Sequence, residues 1–453
     1  MRDSLAMKTG MLGLLALMLL IPLAMIRGKI AERQNYQETV RREVAGSWSG
    51  AQTVLAPILV QPYVIEVRRE TGSGTQRAYT TDAEQRIRIL APESLGLTAV
   101  LESRRRHKGI YSVPVYDAVL KIHGRVDMQE LQAMRLDLSQ QPGFQSLGKP
   151  FLSLAVSDQR GISITPKLAF NDLALSILPG SGIPGWPAGI RAEVPAPGKA
   201  SLPLSMAQSD RFTATVGVRG TESLLLVPAA RAATISLSSK WPHPEFIGAF
   251  LPASRRVDRS GFTAEWSVNE FNSRVAERVG ACESRSCGDL QGAGLGVRMF
   301  EAVNIYLLAE RASKYGILFI GLSFAAFFAM EMTRKLRIHP IQYAFAGLAL
   351  ALFFLLLIAL SEHIRFGAAY CIAAASCIAL LGLYLRHALR GRRGAAGFST
   401  ALSAIYALLY VTMQAEDYAF LMGSILTFAA LAALMTATRN IDWYQLQPAT
   451  AAR

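Results

Sequence analysis

Charge is scarce in this 453-residue chain. Charged residues make up 18% against 51% hydrophobic, and the mean hydropathy is +0.27. That balance excludes both a disordered chain and an ordinary water-soluble one. Four cysteines in this length exclude a small disulfide-stapled scaffold. The six histidines (His107, His123, His243, His339, His363, His387) are scattered, which gives no metal-ligand spacing and no expected cofactor. Gly-x-Ser-x-Gly, His-Glu-x-x-His, Walker and Gly-x-Gly-x-x-Gly patterns are absent. A catalytic triad assembled only by folding needs no such pattern. Acid is the rarer charge, with 33 Asp+Glu against 47 Lys+Arg for a net charge of +14. The one dense basic run, Arg104-Arg105-Arg106-His107-Lys108, lacks interleaved aromatics, so no nucleic-acid partner is expected.

Long apolar runs are what the chain does have. Thr9–Ile26 carries no charge and fits the lower end of the roughly 17–25 residues that span a bilayer. A cleaved signal peptide is the rival reading, but no small-x-small site precedes Arg27, which favours an uncleaved anchor. Five further charge-free windows follow after Lys314, giving six spans, one early and five late. The loops around Arg334-Lys335-Arg337 and Arg386–Arg393 are basic, whereas Ser361–Arg365 and Glu416-Asp417 are mixed or acidic. Basic loops stay in the cytoplasm, so both termini are expected inside and the long insert outside. Arg27, Lys29 and Arg33 after the first span argue the other way, but long translocated domains largely escape the charge rule.

The expected plan is a cytoplasmic N-terminus over 1–8 and spans at 9–26, 315–333, 340–361, 366–385, 397–415 and 418–438. An outer domain fills 27–312, opening with a membrane-proximal helix over 28–46, and a cytoplasmic tail covers 439–453. Within the outer domain, short period-two segments alternate with Gly/Pro/Ser breaks: Val54–Val67, Arg86–Leu90, Val113–Val126, Phe151–Ile164, Phe212–Val218, Ser223–Val227, Ala233–Ser238 and Gly261–Val268. The expected fold is therefore a β-rich sandwich or barrel-like domain on a six-helix membrane anchor. Thr71-Gly72-Ser73-Gly74 reads as a hairpin tip, and Pro/Gly-rich Pro179–Pro203 as an irregular loop where two lobes would meet.

Few residues stand out as functional. Cys282 and Cys287 lie outside by this topology and are expected to form a local disulfide. Trp241-Pro242-His243-Pro244-Glu245-Phe246 has two prolines fixing the backbone around a histidine. Trp241, His243 and Phe246 then form either a contact site for a protein or glycan, or a rigid turn with the indole in the core. Asp158-Gln159-Arg160-Gly161 offers a carboxylate–guanidinium pair, either at that interaction surface or simply closing a tight turn. Glu331 is expected to pair with Arg334 and Lys335, and Glu362 and Glu416 to sit at the outer edge; none lies deep enough to demand a transport pathway.

Several strings carry a resemblance to one known family, in the same order along nearly the whole chain. They are Ile21-Pro22 to Ile30 with Glu32-Arg33, Pro57–Pro62, Gly109-Ile110-Tyr111, Gly148-Lys149-Pro150-Phe151, Asp158–Gly161, and Trp241–Pro244 with Phe246, Phe250, Leu251 and Pro252. In the last third they are Lys314-Tyr315, His339-Pro340 with Gln342-Tyr343, Ser361-Glu362-His363, and Thr438–Tyr444. In these strings the chain resembles the CreD family of inner-membrane proteins, and the resemblance implies a Gram-negative inner-membrane protein with a large periplasmic domain, tied to envelope integrity, colicin tolerance and a two-component regulatory system. It brings no reaction and no cofactor. The resulting expectation is a non-enzymatic protein that supports or senses the envelope, with membrane lipids and an envelope protein or glycan as partners. A membrane-anchored enzyme acting on the envelope and a transporter with an oversized outer domain are the alternatives.

Overall fold

The computed structural model describes residues 5–71, 78–195, 210–274, 278, 282, 288–299, 305–333, 338–388 and 392–414, and positions 421, 424, 425, 428, 432, 435 and 436. These fall into two compact units, one of residues 1–38 and 303–453, the other of residues 39–302.

The first unit is helical. It holds α1 (Leu5–Met18) and the start of α2 (Leu20–Ser47). After the β-rich insert come α5 (Ile305–Lys314), α6 (Gly316–Thr333), α7 (Pro340–Ser361), α8 (Phe366–Ala388) and α9 (Arg392–Gln414). Among the described residues, four stretches are long and apolar enough to cross a membrane: Gly10–Ser47, Pro340–Ser361, Phe366–Arg386 and Gly394–Gln414. The apolar part of α6, Leu318–Phe328, is shorter. The span expected at 418–438 and the tail at 439–453 lie outside the described residues, apart from scattered helical positions before 437.

Aromatic rings make the contact between these helices. Phe319 of α6, Phe353 of α7 and Tyr406 of α9 meet with centroids 4.7–6.3 Å apart. Phe327, Tyr343 and Phe398 repeat the arrangement further along. Gly347 lets Leu19 close in, since a Cβ there would lie 2.1 Å from the leucine Cδ1.

The second unit is β-rich. Its strands are β1 (Gln52–Thr71), β2 (Ala78–Leu90), β3 (Ser94–Lys108) and β4 (Tyr111–Val126), followed by helix α3 (Met128–Ser139). Then come β5 (Phe144–Leu147), β6 (Phe151–Val156), β7 (Ile162–Phe170), β8 (Leu173–Ala174), β9 (Ile177–Pro179) and β10 (Gly189–Glu193). The last group is β11 (Asp210–Thr221), β12 (Ser223–Val227), β13 (Ala232–Ser239), β14 (Pro244–Gly248), β15 (Ser254–Asp258), β16 (Gly261–Asn269), the short α4 (Glu270–Ser273) and β17 (Leu295–Met299).

One sheet runs β14-β17-β12-β1-β6-β10-β9, with β2 and β5 also paired to β1; the other runs β15-β16-β13-β3-β4-β11-β7-β8. Both are antiparallel except where β1 meets β12 and β13 meets β3. A single core, including Leu59, Leu154 and Leu224 from the first sheet and Leu97, Leu120, Ile235 and Trp266 from the second, fills the space between them. It is a sandwich. Each fully buried aliphatic side chain there is worth about 1.5–3 kcal/mol.

Patterning explains the two sheets. In β4 and β11 the runs Lys121–Val126 and Arg211–Val216 put every second residue inside, which suits a sheet with one wet face. The central β1 is different, because its run Val54–Val60 is apolar throughout. Val54, Ala56 and Leu59 join the main core, while Leu55, Ile58 and Val60 pack into a second cluster with Ile183, Trp186 and Leu290. A register shift between Leu55 and Ile58 accommodates Pro57, which could not donate to a regular ladder.

Three expectations are corrected. Phe151–Ile164 is not one strand: β6 belongs to the first sheet and β7 to the second, and the Asp158–Gly161 turn carries the chain across. Pro179–Pro203 is not irregular throughout, since β10 pairs with both β6 and β9. Gly189 makes this possible, with φ +140 and a position where a Cβ would lie 2.2 Å from the Leu154 oxygen. Nor does the unit split into two lobes there, because one core spans both sheets. Residues 72–77, with most of the expected hairpin tip, and 196–209 lie outside the described residues; Thr71 pairs with Ala78 on either side of the former.

Candidate functional site

The Asp158–Gly161 string turns out to be a clamp. Asp158 precedes a 3-10 turn and accepts from the Arg160 backbone N–H at 3.0 Å, from Arg160 Nη2 at 2.8 Å and from Ser49 Oγ at 3.3 Å. The hydrogen bond from Arg160 holds the Asp158 carboxyl below the usual carboxylate range. Arg160 Nη1 also donates to the Gly46 oxygen at 2.5 Å, in the last turn of α2, where orphan carbonyls favour a cation. Gln52, fully buried, donates to Ser49 Oγ at 2.5 Å and accepts from Ser157 Oγ at 3.0 Å. Gly161 leaves room for that amide, since a Cβ would lie 2.2 Å from Gln52 Nε2. The pair thus fastens the link from α2 to β1 onto the crossing between the sheets.

Trp48 sits in that fastened link. The Arg106 guanidinium lies 4.0 Å from its ring centroid and that of Arg219 lies 4.5 Å away. Arg219 Nε approaches Asp117 at 3.5 Å. A cavity of about 380 Å³ opens here, lined by Arg104–His107 with Trp48, Val115 and Asp117. Next to it, and sharing Arg104, lies a larger one of about 750 Å³ over the ends of β3, β13, β15 and β16. Glu102, Lys240, Arg256, Asp258 and Thr263 are among its walls. The basic run singled out in the sequence therefore borders two cavities. Sequence reasoning missed Trp48, and its only local signal was an indole at the end of a polar helix.

The Trp-Pro-His-Pro segment resolves as a turn. Trp241 belongs to the core, not to a contact surface, and its Nε1 donates to the His243 oxygen at 3.0 Å. An indole buries this readily once its N–H is satisfied by its own turn. His243 is exposed. Phe246, on β14, is half-buried against Phe262 and Trp266 at 5.8 and 6.0 Å. Arg105 lies 5.6 Å over Trp241, so this turn and the basic run are neighbours. Asp158 and Arg160 are held at a different place, on the α2–β1 link.

Cys282 is buried, with its thiol 3.6 Å from the Arg278 oxygen, while Cys287 lies outside the described residues. Among the described residues no group of His, Cys, Asp and Glu could hold a metal ion.

In the helical unit, Glu331 is buried and accepts from the Ile338 N–H at 3.1 Å and from Tyr343 Oη at 2.9 Å. Arg334 and Lys335, its expected partners, lie outside the described residues. His339 and Gln342 form a capping box at the start of α7, with Pro340 in its first turn. Glu362 accepts from Tyr306 Oη at 3.0 Å and faces Arg33 at 3.5 Å; Glu416 and Asp417 are outside the described residues.

A family model described as inner membrane protein CreD matches residues 4–444. A curated relative, the inner membrane protein CreD of Escherichia coli (strain K12), is 34% identical over 434 residues, covering 94% of this chain and 91% of the relative.

Proposed function

Because this chain belongs to the CreD family of inner membrane proteins, we propose that its β-rich unit lies in the periplasm and binds a component of the cell envelope without catalysing a reaction, and that this binding supports envelope integrity. Six spans, at 9–26, 315–333, 340–361, 366–385, 397–415 and 418–438, with both termini in the cytoplasm, complete the reading. The alternation of basic and acidic loops supports that topology.

The observation that carries the binding role is the pair of adjoining cavities on β3, built on a sandwich whose strands hold their walls in place. Cavities of roughly 300–1,000 Å³ are the size of small-ligand sites. A photoreactive residue at Thr263, exposed on the wall of the larger cavity, tests it in living cells. A discrete envelope adduct is expected, and a blank from folded, abundant protein overturns the reading. For the topology, a membrane-impermeant thiol reagent on spheroplasts should label a cysteine introduced at Thr263 and not one introduced at Gly391.

A further inference from the structure

Within that reading of the β-rich unit, we propose that the cavity between Trp48 and the Arg104–His107 end of β3 binds a phosphate group carried by an envelope molecule. The charge arrangement points to an anion. Two guanidinium groups, those of Arg104 and Arg106, face the cavity from β3 together with one carboxylate, Asp117, which is already engaged by Arg219. Arg104 has Glu102 at 3.4 Å, but both are largely exposed, so that pair holds its guanidinium weakly. Arg106 has no carboxylate partner among the described residues; its guanidinium rests on Trp48 and keeps its donors for something else.

Crowded arginines repel one another, and aromatic contacts offset only part of this; a ligand anion removes the rest.

The geometry favours phosphate. Alternation along β3 puts Arg104 and Arg106 on one face, so two planar forks converge on one space, and forked donors suit phosphate oxygens. The opposing wall is set in advance, because the Asp158–Arg160 clamp fixes Ser49 and Gly46 on either side of Trp48. A lipid headgroup and a soluble phosphate ester share this chemistry.

The test uses the full chain in nanodiscs of zwitterionic lipid, titrated with inorganic pyrophosphate at constant ionic strength and followed by calorimetry. Saturable binding is expected. Arg106→Gln should weaken it about tenfold or more, the scale of losing charge-assisted hydrogen bonds. Lys167→Gln removes the same charge from exposed sheet outside the cavity and should change nothing. Unchanged thermal melting of Arg106→Gln confirms that it folds. Phosphatidylglycerol added to the discs should compete if the membrane supplies the phosphate, and should not if a soluble ester does; either result supports the site. Absence of saturation, or equal weakening by both substitutions, overturns it. If pyrophosphate fails to bind while loss of the protein still weakens the envelope, the phosphate site falls and the envelope reading stands. If binding holds and Arg106→Gln abolishes it without affecting envelope tolerance, the site stands and its link to the envelope falls.

Discussion

Gly161→Ala is the sharpest test of the clamp that holds the α2–β1 link. The added methyl would lie 2.2 Å from Gln52 Nε2 and 2.9 Å from the Arg219 oxygen. The second neighbour is backbone of a strand paired on both sides, so Gln52 must move. Its amide is buried and bonds to Ser49 Oγ, Ser157 Oγ and the Asp158 backbone. Orphaning one or two such buried groups costs about 1–3 kcal/mol each, so a net loss of about 3 kcal/mol is expected. For a unit of this size that lowers the melting temperature by roughly 6–12 °C. Tryptophan fluorescence during heating reports on the right unit, because Trp48, Trp186, Trp241 and Trp266 lie in it and only Trp443 does not. Gly50→Ala is the control: it sits in the same link with nothing within 4 Å of its would-be Cβ. If Gly161→Ala melts within about 2 °C of the parent, or Gly50→Ala falls as far, the close-packing argument is refuted.

Other outcomes follow from the same contacts. Asp158 titrates below its unfolded value, so its stabilising contribution is complete above about pH 4 and disappears as the pH falls through the depressed folded value. Asp158→Asn should therefore melt earlier than the parent at pH 7 and together with it in strong acid, as read by tryptophan fluorescence; a constant gap across pH would refute this. Glu331→Gln puts an amide against two donors and should destabilise the helical unit by about 1–3 kcal/mol, seen as earlier heat-induced aggregation in detergent, with Glu331→Leu at least as severe. Alkylation of protein unfolded without reductant should leave Cys282 and Cys287 unlabelled until reductant is added; labelling of both at once would remove the expected disulfide.

The β-rich texture was legible wherever one face of a strand is wet, as in Lys121–Val126, because alternation is written residue by residue. Two elements had signals that went unread. Leu95, Leu97, Ala99 and Leu101 alternate along β3, and Asp127 caps α3 ahead of Glu130 and the buried Leu131 and Leu138. β10 was hidden for a physical reason, since the proline and glycine that normally break strands here surround one, and Gly189 serves close strand approach. Trp241 was recognised as special in either of two ways, and only its burial selects the core turn.

By itself, the sequence determined that this is a membrane protein with apolar helices and a β-rich insert, because span length, charge-free windows and strand alternation are local properties of neighbouring residues. The tertiary structure alone decided which distant residues share a site. Ser49 meets Asp158 across 109 positions, and Trp48 meets Arg106 and Arg219 from separate parts of the chain. Those meetings depend on strand order and on where the chain crosses between sheets, and neither is encoded in the spacing of the residues that meet.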